Sequence, residues 1–353
     1  MDLQVLDTNF NVIAILDAYE SFIWTDRYDE CGDFELYTPL TDDILGFIKA
    51  EYYIRNKKSE HVMIVESLEI KSDVDEGTRL TVTGRSLESI LDRRIIWKTK
   101  TISDTLQNAV KTLLNECIIS PEDGDRKIDN FIFEDTDDPA IAELSVEGQY
   151  TGDNLYDVIH TICDNAKIGF KITLNDSNQF VFKLYSGIDR SYDQLNNPYV
   201  VFSPSFENLA NSNYVESISA MKNVALVGGE GEGTARVYAT AGNASGLGRR
   251  EMFTDANGVS SDDIGTASSY SSLLVQKGNE ELAENSMITS FEGEAETSIT
   301  YKYGEDFFIG DIVQLANEYG HETKARVVEM VISEDTSSIS AYPTFETITE
   351  EGE

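Results

Sequence analysis

The sequence predicts a β-rich α+β protein with more than one core, and three observations carry that reading. Runs of β-branched and aromatic residues bounded by turn residues dominate both ends of the chain. Helical spacing is confined to the middle and to one later segment. A hydrophobic content of 41% with 17 Tyr and 16 Phe sets the chain apart from disordered sequences, and 353 residues are enough for two or three domains.

Residues 1–97 read as mostly strand. Leu3–Val5 alternates, and Asn9-Phe10-Asn11 turns into Val12–Leu16. Phe34–Tyr37, Tyr52–Ile54, Val62–Val65 and Leu80–Thr83 follow. Leu68-Glu69-Ile70 running into Asp73–Gly77 is a hairpin signal, and a short helix is expected over Asp42–Lys49 with Asp42 as its N-cap.

Residues 98–202 read as an α+β domain. Leu106, Val110, Leu113, Leu114 and Cys117 recur at helical spacing after Ser103, the expected cap. Leu155, Val158, Ile159, Ile162, Cys163 and Ala166 repeat the pattern until Gly169 stops it. Strands are expected at Phe170–Leu174 and Phe180–Leu184. Between the helices, Pro121–Pro139 holds eight acidic residues against Arg126 and Lys127, which predicts an exposed acidic loop.

From about residue 203 strands return, at Val215–Ile218, Val224–Val227 and Arg236–Ala239. A Gly/Ser-rich stretch leads to a helix around Leu273–Met287, then to strands at Ser298–Tyr301, Ile312–Leu315, Ala325–Ile332 and Ser338–Tyr342. The pattern predicts a discontinuous β-domain (203–240 together with 291–346), a helical and loop insertion at 241–290, and an acidic tail at 347–353. A weak internal repeat runs through the two β-regions. Tyr53-Ile54, Val65-Glu66-Ser67-Leu68 and Leu80-Thr81-Val82 find counterparts in Ile312-Val313, Val328-Glu329-Met330-Val331 and Ile339-Ser340-Ala341.

With 64 acidic against 27 basic residues the formal charge is −37, which opposes binding to phosphate backbones and anionic membranes. Solubility or a salty setting would explain it; so would a surface that must stay near DNA without adhering. The start has no basic segment followed by an apolar run, and no stretch approaches the roughly 18 apolar residues of a membrane span, so neither signal peptide nor membrane anchor is expected. Cys31, Cys117 and Cys163 are odd in number and widely spaced, and read as core thiols from a reducing compartment.

No catalytic constellation, metal site or cofactor site emerges. His61, His160 and His321 are too scattered for a histidine metal site; His61 and His321 are expected in solvated loops and His160 on a helix. The run Gly228–Thr234 lacks the lysine of a phosphate loop and carries two repelling glutamates, so a turn between strands is the better reading. Trp24 and Trp97 are read as core residues rather than sugar-stacking platforms.

Four stretches carry a family resemblance. The first has Trp24 and Arg27 before Glu30-Cys31-Gly32-Asp33-Phe34-Glu35-Leu36, closing at Pro39. The second runs from Gly84-Arg85-Ser86-Leu87 to Ile90-Leu91-Asp92-Arg93-Arg94. The third is Gly229–Gly233, with Gly231 and Gly233, followed by Ala235-Arg236; the fourth is Tyr303–Val313, with Gly310-Asp311. In this order, spanning 24–313, they resemble the tail-hub proteins of phages and prophages of Gram-positive bacteria.

The resemblance implies a ring-forming fold similar to the baseplate hubs of contractile tails: two related tube-type β-barrel domains with α+β insertions in each chain of a homotrimer. Three chains of two barrels would match a six-fold tail tube to a three-fold tip and line the channel for DNA passage. The implied partners are a tail tube or distal tail protein above, a tip, spike or cell-wall-degrading protein below, and a tape-measure protein in the lumen. No specific nucleic-acid binding is implied. The setting is the virion tail, assembled in the host bacterial cytoplasm. The roles are structural, not enzymatic: Gly32 and Gly310 make tight turns, Trp24 and Phe34 pack a barrel core, and Arg27 pairs with a carboxylate the sequence does not name. A peptidoglycan-cleaving domain follows some hubs; here the last expected strand is soon followed by Glu353, so none is expected. Two alternatives remain open: the hub of a contractile bacteriocin-like particle, and a carbohydrate-binding or cell-wall-hydrolysing tip protein.

Overall fold

The computed structural model describes residues 3–348 apart from 58, 75–76, 261–266, 296–299, 318 and 320–321. The chain opens with two hairpins, β1 (Leu3–Leu6) with β2 (Val12–Leu16) and β3 (Ser21–Arg27) with β4 (Asp33–Pro39). Helix α1 (Asp42–Phe47) leads into the meander β5 (Tyr53–Asn56), β6 (Val62–Asp73) and β7 (Gly77–Ser86). The middle holds β8 (Lys100–Thr105), α2 (Leu106–Leu114), β9 (Phe131–Glu134), α3 (Pro139–Ala142), β10 (Ser145–Tyr150), α4 (Leu155–Ala166), β11 (Gly169–Leu174) and β12 (Phe180–Tyr185). The last part holds β13 (Val201–Phe202), β14 (Leu209–Ser217), β15 (Val224–Gly228), β16 (Tyr238–Ala241), β17 (Glu251–Asp255), α5 (Ala267–Glu284), β18 (Ile288–Ala295), β19 (Ile312–Ala316), β20 (Glu322–Asp335) and β21 (Ile339–Thr347).

One sheet of 13 strands joins the two ends of the chain in the order β14-β18-β21-β20-β3-β4-β7-β6-β5-β1-β2, with β19 and β13 branching from β20. The seam between the halves is the antiparallel pairing of β20 with β3, from Glu329↔Arg27 to Asp335↔Ser21. Among the described residues the pairing path closes no barrel.

The two halves repeat one another. In chain order β1, β3, β4, β5, β6, β7 correspond to β13, β14, β18, β19, β20, β21, and each set has the same neighbours: β3-β4-β7-β6-β5-β1 against β14-β18-β21-β20-β19-β13. One departure is that β1 pairs antiparallel with β5 whereas β13 pairs parallel with β19. Both long hairpins carry a bulge at the same place, between Val65 and Ser67 in β6 and between Val327 and Glu329 in β20. The bulge therefore sets Val65 against Val327. The alignment expected from sequence, Val65 with Val328, is one residue out. In a strand that slip would exchange the two faces, so only hydrogen-bond partners decide it.

Four cores result. Phe22, Trp24, Phe34, Leu36, Met63, Val65 and Val82 build the first half; Phe202, Phe307, Val313, Leu315, Val327 and Phe345 build the second. The largest core is in the middle, where α2 and α4 bury Leu106, Val110, Leu113, Leu155, Ile159 and Ile162. The smallest lies between α5 and a separate sheet ordered β16-β15-β17. That sheet corrects an expectation: the strands near 224–227 and 236–239 belong to the insertion, not to the second β-domain. Their alternation signals a strand but says nothing of its partner.

Local corrections follow the same logic. Thr41, not Asp42, caps α1, its Oγ1 accepting from Ile44 N at 3.2 Å, and the helix ends at Phe47. Thr105, not Ser103, caps α2, and Ser103 sits in β8. Lys167, left-handed at φ 54°, closes α4, and Gly169 begins a strand. The segment 121–139 is not all loop, since Phe131–Glu134 forms β9 parallel to β12 and buries Phe131. The strand expected at Ser298–Tyr301 falls partly outside the described residues, and the acidic tail does so from residue 349.

Candidate functional site

Six of the signature residues, Trp24, Arg27, Gly32, Phe34, Gly84 and Arg85, gather on the first half of the sheet and at its seam. Trp24 in β3 lies opposite Phe34 in β4, which lies opposite Gly84 in β7. Trp24 and Phe34 form one buried aromatic group with Phe22. Gly84 is required there: a Cβ would fall 1.8 Å from the Ile64 carbonyl oxygen and 2.9 Å from the Phe34 ring. Gly32 serves by close approach rather than by a turn conformation. Its Cβ would meet the Thr25 carbonyl oxygen at 2.3 Å, and its N–H donates to Ser86 Oγ at 2.8 Å. The Trp24 indole donates to Asp26 Oδ1 at 2.7 Å, and Asp26 also accepts from Tyr303 Oη at 2.9 Å, tying β3 to the second half.

Arg27 finds its carboxylates across the seam and across the hairpin. Nε donates to Glu329 Oε2 at 2.7 Å, and Nη1 donates to Asp33 Oδ2 at 2.6 Å and to the Cys31 carbonyl at 2.8 Å. Arg85 grips Glu66, the bulge residue of β6, through two parallel bonds of 2.9 and 3.0 Å, and reaches Asp92 at 3.2 Å. Arg79 meets Glu20 at 3.0 Å, and Lys71 meets Glu69 at 3.1 Å. On the sheet face turned away from the aromatic core, Arg27, Arg85, Arg79 and Lys71 are thus each met by neighbouring carboxylates, which leaves these cations little attraction for phosphate.

Gly310 and Asp311 form a second node. Gly310 sits at φ 90°, where a Cβ would strike the Tyr28 ring at 2.6 Å. Asp311 is buried and accepts from Ile188 N at 2.8 Å, Arg190 Nε at 2.7 Å and Phe308 N at 3.1 Å. Arg326 Nη1 donates to the Gly310 carbonyl at 2.7 Å while its guanidinium lies 4.7 Å above the Tyr28 ring. Burial pushes the Tyr28 phenol up to about 12, so it stays a neutral donor, bonded to the Lys167 and Tyr185 carbonyls. The node locks the middle domain to both halves of the sheet.

Gly231 and Gly233 lie far from either group, in the loop between β15 and β16, at φ 100° and 55°. Arg236 pins this loop by donating to the Gly228 and Gly229 carbonyls at 2.8 and 3.0 Å and by pairing with Asp255. The turn reading of the glycine run holds.

Two expectations are reversed. His61 is buried, not solvated, beside fully buried Glu88, with Nδ1 3.4 Å from Oε1. That is an ion-pair distance rather than a good hydrogen bond; Glu88 Oε1 instead accepts from Ile172 N at 2.7 Å. Burial works against both charges. The Asp26 and Glu88 carboxylates nevertheless hold His61 at about 9, and His61 keeps Glu88 below the ordinary carboxylate range. Trp97 is exposed rather than core, with the Arg126 guanidinium 4.5 Å from its ring. Sequence reading also passed over Tyr28, Arg190 and Arg326, each of which has a partner more than a hundred residues distant that leaves no local signal. Among the described residues, no group of three or more His, Cys, Asp or Glu could hold a metal ion.

The fold recurs in solved structures. A prophage tail protein from Listeria monocytogenes superposes with a TM-score of 0.57 at 14% identity, covering 100% of this chain and 96% of that one. A 43 kDa tail protein of prophage MuSo2 from Shewanella oneidensis gives 0.60 at 10% identity, with 98% of each chain covered. A chain of the Francisella PdpA–VgrG complex gives 0.51 at 10% identity, covering 99% of this chain and 59% of that one. No curated protein matches in sequence. The fold is the one found in these prophage tail proteins. The chain belongs to the siphovirus ReqiPepy6 Gp37-like protein family, whose model matches residues 2–345.

Proposed function

We propose that this chain is the hub ring of a phage tail tip, a homotrimer that joins a six-fold tail tube to a three-fold tip and bounds the channel through which DNA passes. The observation that carries the reading is the duplicated strand order, β3-β4-β7-β6-β5-β1 repeated as β14-β18-β21-β20-β19-β13. Two quasi-equivalent units in one polypeptide let three polypeptides present six similar faces on one side while keeping three-fold symmetry on the other. The tube or distal tail protein would contact the six-fold side, the tip, spike or wall-degrading protein the three-fold side, and the tape-measure protein would occupy the lumen.

The electrostatics suit a conduit. With −37 net charge per chain, and Arg27, Arg79 and Arg85 each held by carboxylates, the ring would repel the polymer it conducts. Its role would be mechanical rather than enzymatic. Cryo-EM of the assembled tail tip tests this: three copies in one ring around the axis are expected, and a peripheral or single-copy position would refute it.

A further inference from the structure

The duplication makes a demand that one chain cannot meet. The C-terminal half of β20 is paired on both edges, with β21 on one side and β3 on the other. Its counterpart, the C-terminal half of β6, pairs with β7 throughout, but β5 covers only Val62–Ile64 on the other edge. Beyond the bulge, from Ser67 to Ser72, that edge meets no strand among the described residues. At the opposite end of the sheet stands β14, the counterpart of β3, paired with β18 alone.

Burial registers the missing neighbour. Met330 in β20 is fully buried and Ile332 half-buried against the first core, whereas their counterparts Leu68 and Ile70 are half-buried and 51% exposed. The edge of β14 matches what covers β20. Trp24 in β3 donates to Asp26 two residues on; Tyr214, at the same position in β14, donates to Glu216 at 3.0 Å. Tyr214 and Val215 are both exposed, at 45% and 37%. A long strand edge with apolar side chains is a template for another strand, and neither segment contains proline to block one.

We infer that β6 of one chain pairs antiparallel with β14 of a second copy, repeating between molecules the β20–β3 seam found within one. Carrying the register of that seam through the two bulge-matched hairpins sets Ser67 opposite Ser217, Leu68 opposite Glu216, Glu69 opposite Val215 and Ile70 opposite Tyr214 of the next copy. The contact is heterologous, so each copy uses one edge as donor and the other as acceptor, and it propagates until the ring closes. The number of copies at closure rests on the trimer proposed above; the strand pair and its register do not.

Paired cysteines test both separately. Residues opposite one another in antiparallel strands have Cα atoms about 4.5–5.5 Å apart, within disulfide range, whereas a one-residue slip points the two side chains to opposite faces. E69C combined with V215C should yield, on oxidation, disulfide-linked multimers that reduction dissolves, with the ladder ending at a closed three-chain species. E69C combined with E216C, and each single variant, should stay unlinked; Cys31, Cys117 and Cys163 are buried and supply little background. Native mass measurement of the same samples gives the oligomer. In-register linkage with a different closing number would overturn the trimer and leave this pairing standing. A trimer linked out of register, or no linkage by the in-register pair, would overturn the pairing.

Discussion

Arg27 and Glu329 are 302 residues apart in the chain and meet with Nε 2.7 Å from Oε2, at the first register pair of the β3–β20 seam. Both side chains are about one-quarter exposed, so water weakens the attraction without erasing it. Glu329 also accepts from Thr344 Oγ1 at 3.2 Å, a second contact that holds its carboxylate in place. A double-mutant cycle with R27M and E329Q should give a coupling of about 1 kcal/mol in denaturant unfolding. Additive single effects would mean that backbone pairing alone holds the seam.

Two glycines should respond unequally to the same substitution. G84A places a methyl against the Ile64 carbonyl and the Phe34 ring, so strands must separate, at a cost of about 3 kcal/mol. G233A meets nothing within 4 Å and pays only for its left-handed backbone, about 1 kcal/mol. Thermal melts of both variants would decide the matter; equal losses would contradict the close-approach account.

Asp311 is expected to be the costliest single polar residue. D311A would leave Arg190, itself buried, without its carboxylate and would orphan two backbone N–H groups, at a cost of about 3–5 kcal/mol. D311N should recover part of that, because an amide oxygen still accepts. Urea midpoints of the two variants check the order.

The His61–Glu88 pair predicts a pH window. His61 titrates near 9 when folded, above its ordinary 6.5, so its contribution is complete below pH 6.5 and disappears as pH rises through 9. By linkage this amounts to at most about 3 kcal/mol. Glu88 is depressed, so its contribution is present above its ordinary value of 4.5 and disappears on acidification through its lower folded value. Unfolding free energy measured from pH 6 to 10 should therefore fall, and H61Q should flatten the slope. An unchanged slope in H61Q would remove His61 as its source.

Part of the site was legible from residue type and part from the family resemblance. Trp24 read as core because a large aromatic side chain in a strand-rich region is mostly buried, whereas the core role of Phe34 and the carboxylate partner of Arg27 came from the family resemblance. Helix α4 was legible almost to its ends, since Leu155, Val158, Ile159 and Ile162 mark one face. Its neighbour's cap was placed two residues early because Ser103 and Thr105 cap equally well, and only the strand ending at Thr105 separates them. His61 and Trp97 exchanged environments for a related reason. Polarity suggests exposure, but a histidine flanked by two buried carboxylates is stabilised inside, and a tryptophan beside Arg126 can remain outside.

By itself the sequence indicated many of the strands, the principal helices and a weak repeat of one strand pattern, because periodicity and side-chain shape act within a few residues. Only the tertiary structure decided that β20 joins β3, that β15 and β16 leave the main sheet, and that Val65 answers to Val327 rather than Val328. Backbone hydrogen bonds are chemically identical at every position. Which strand satisfies which, and in what register, is settled by the packing of distant faces.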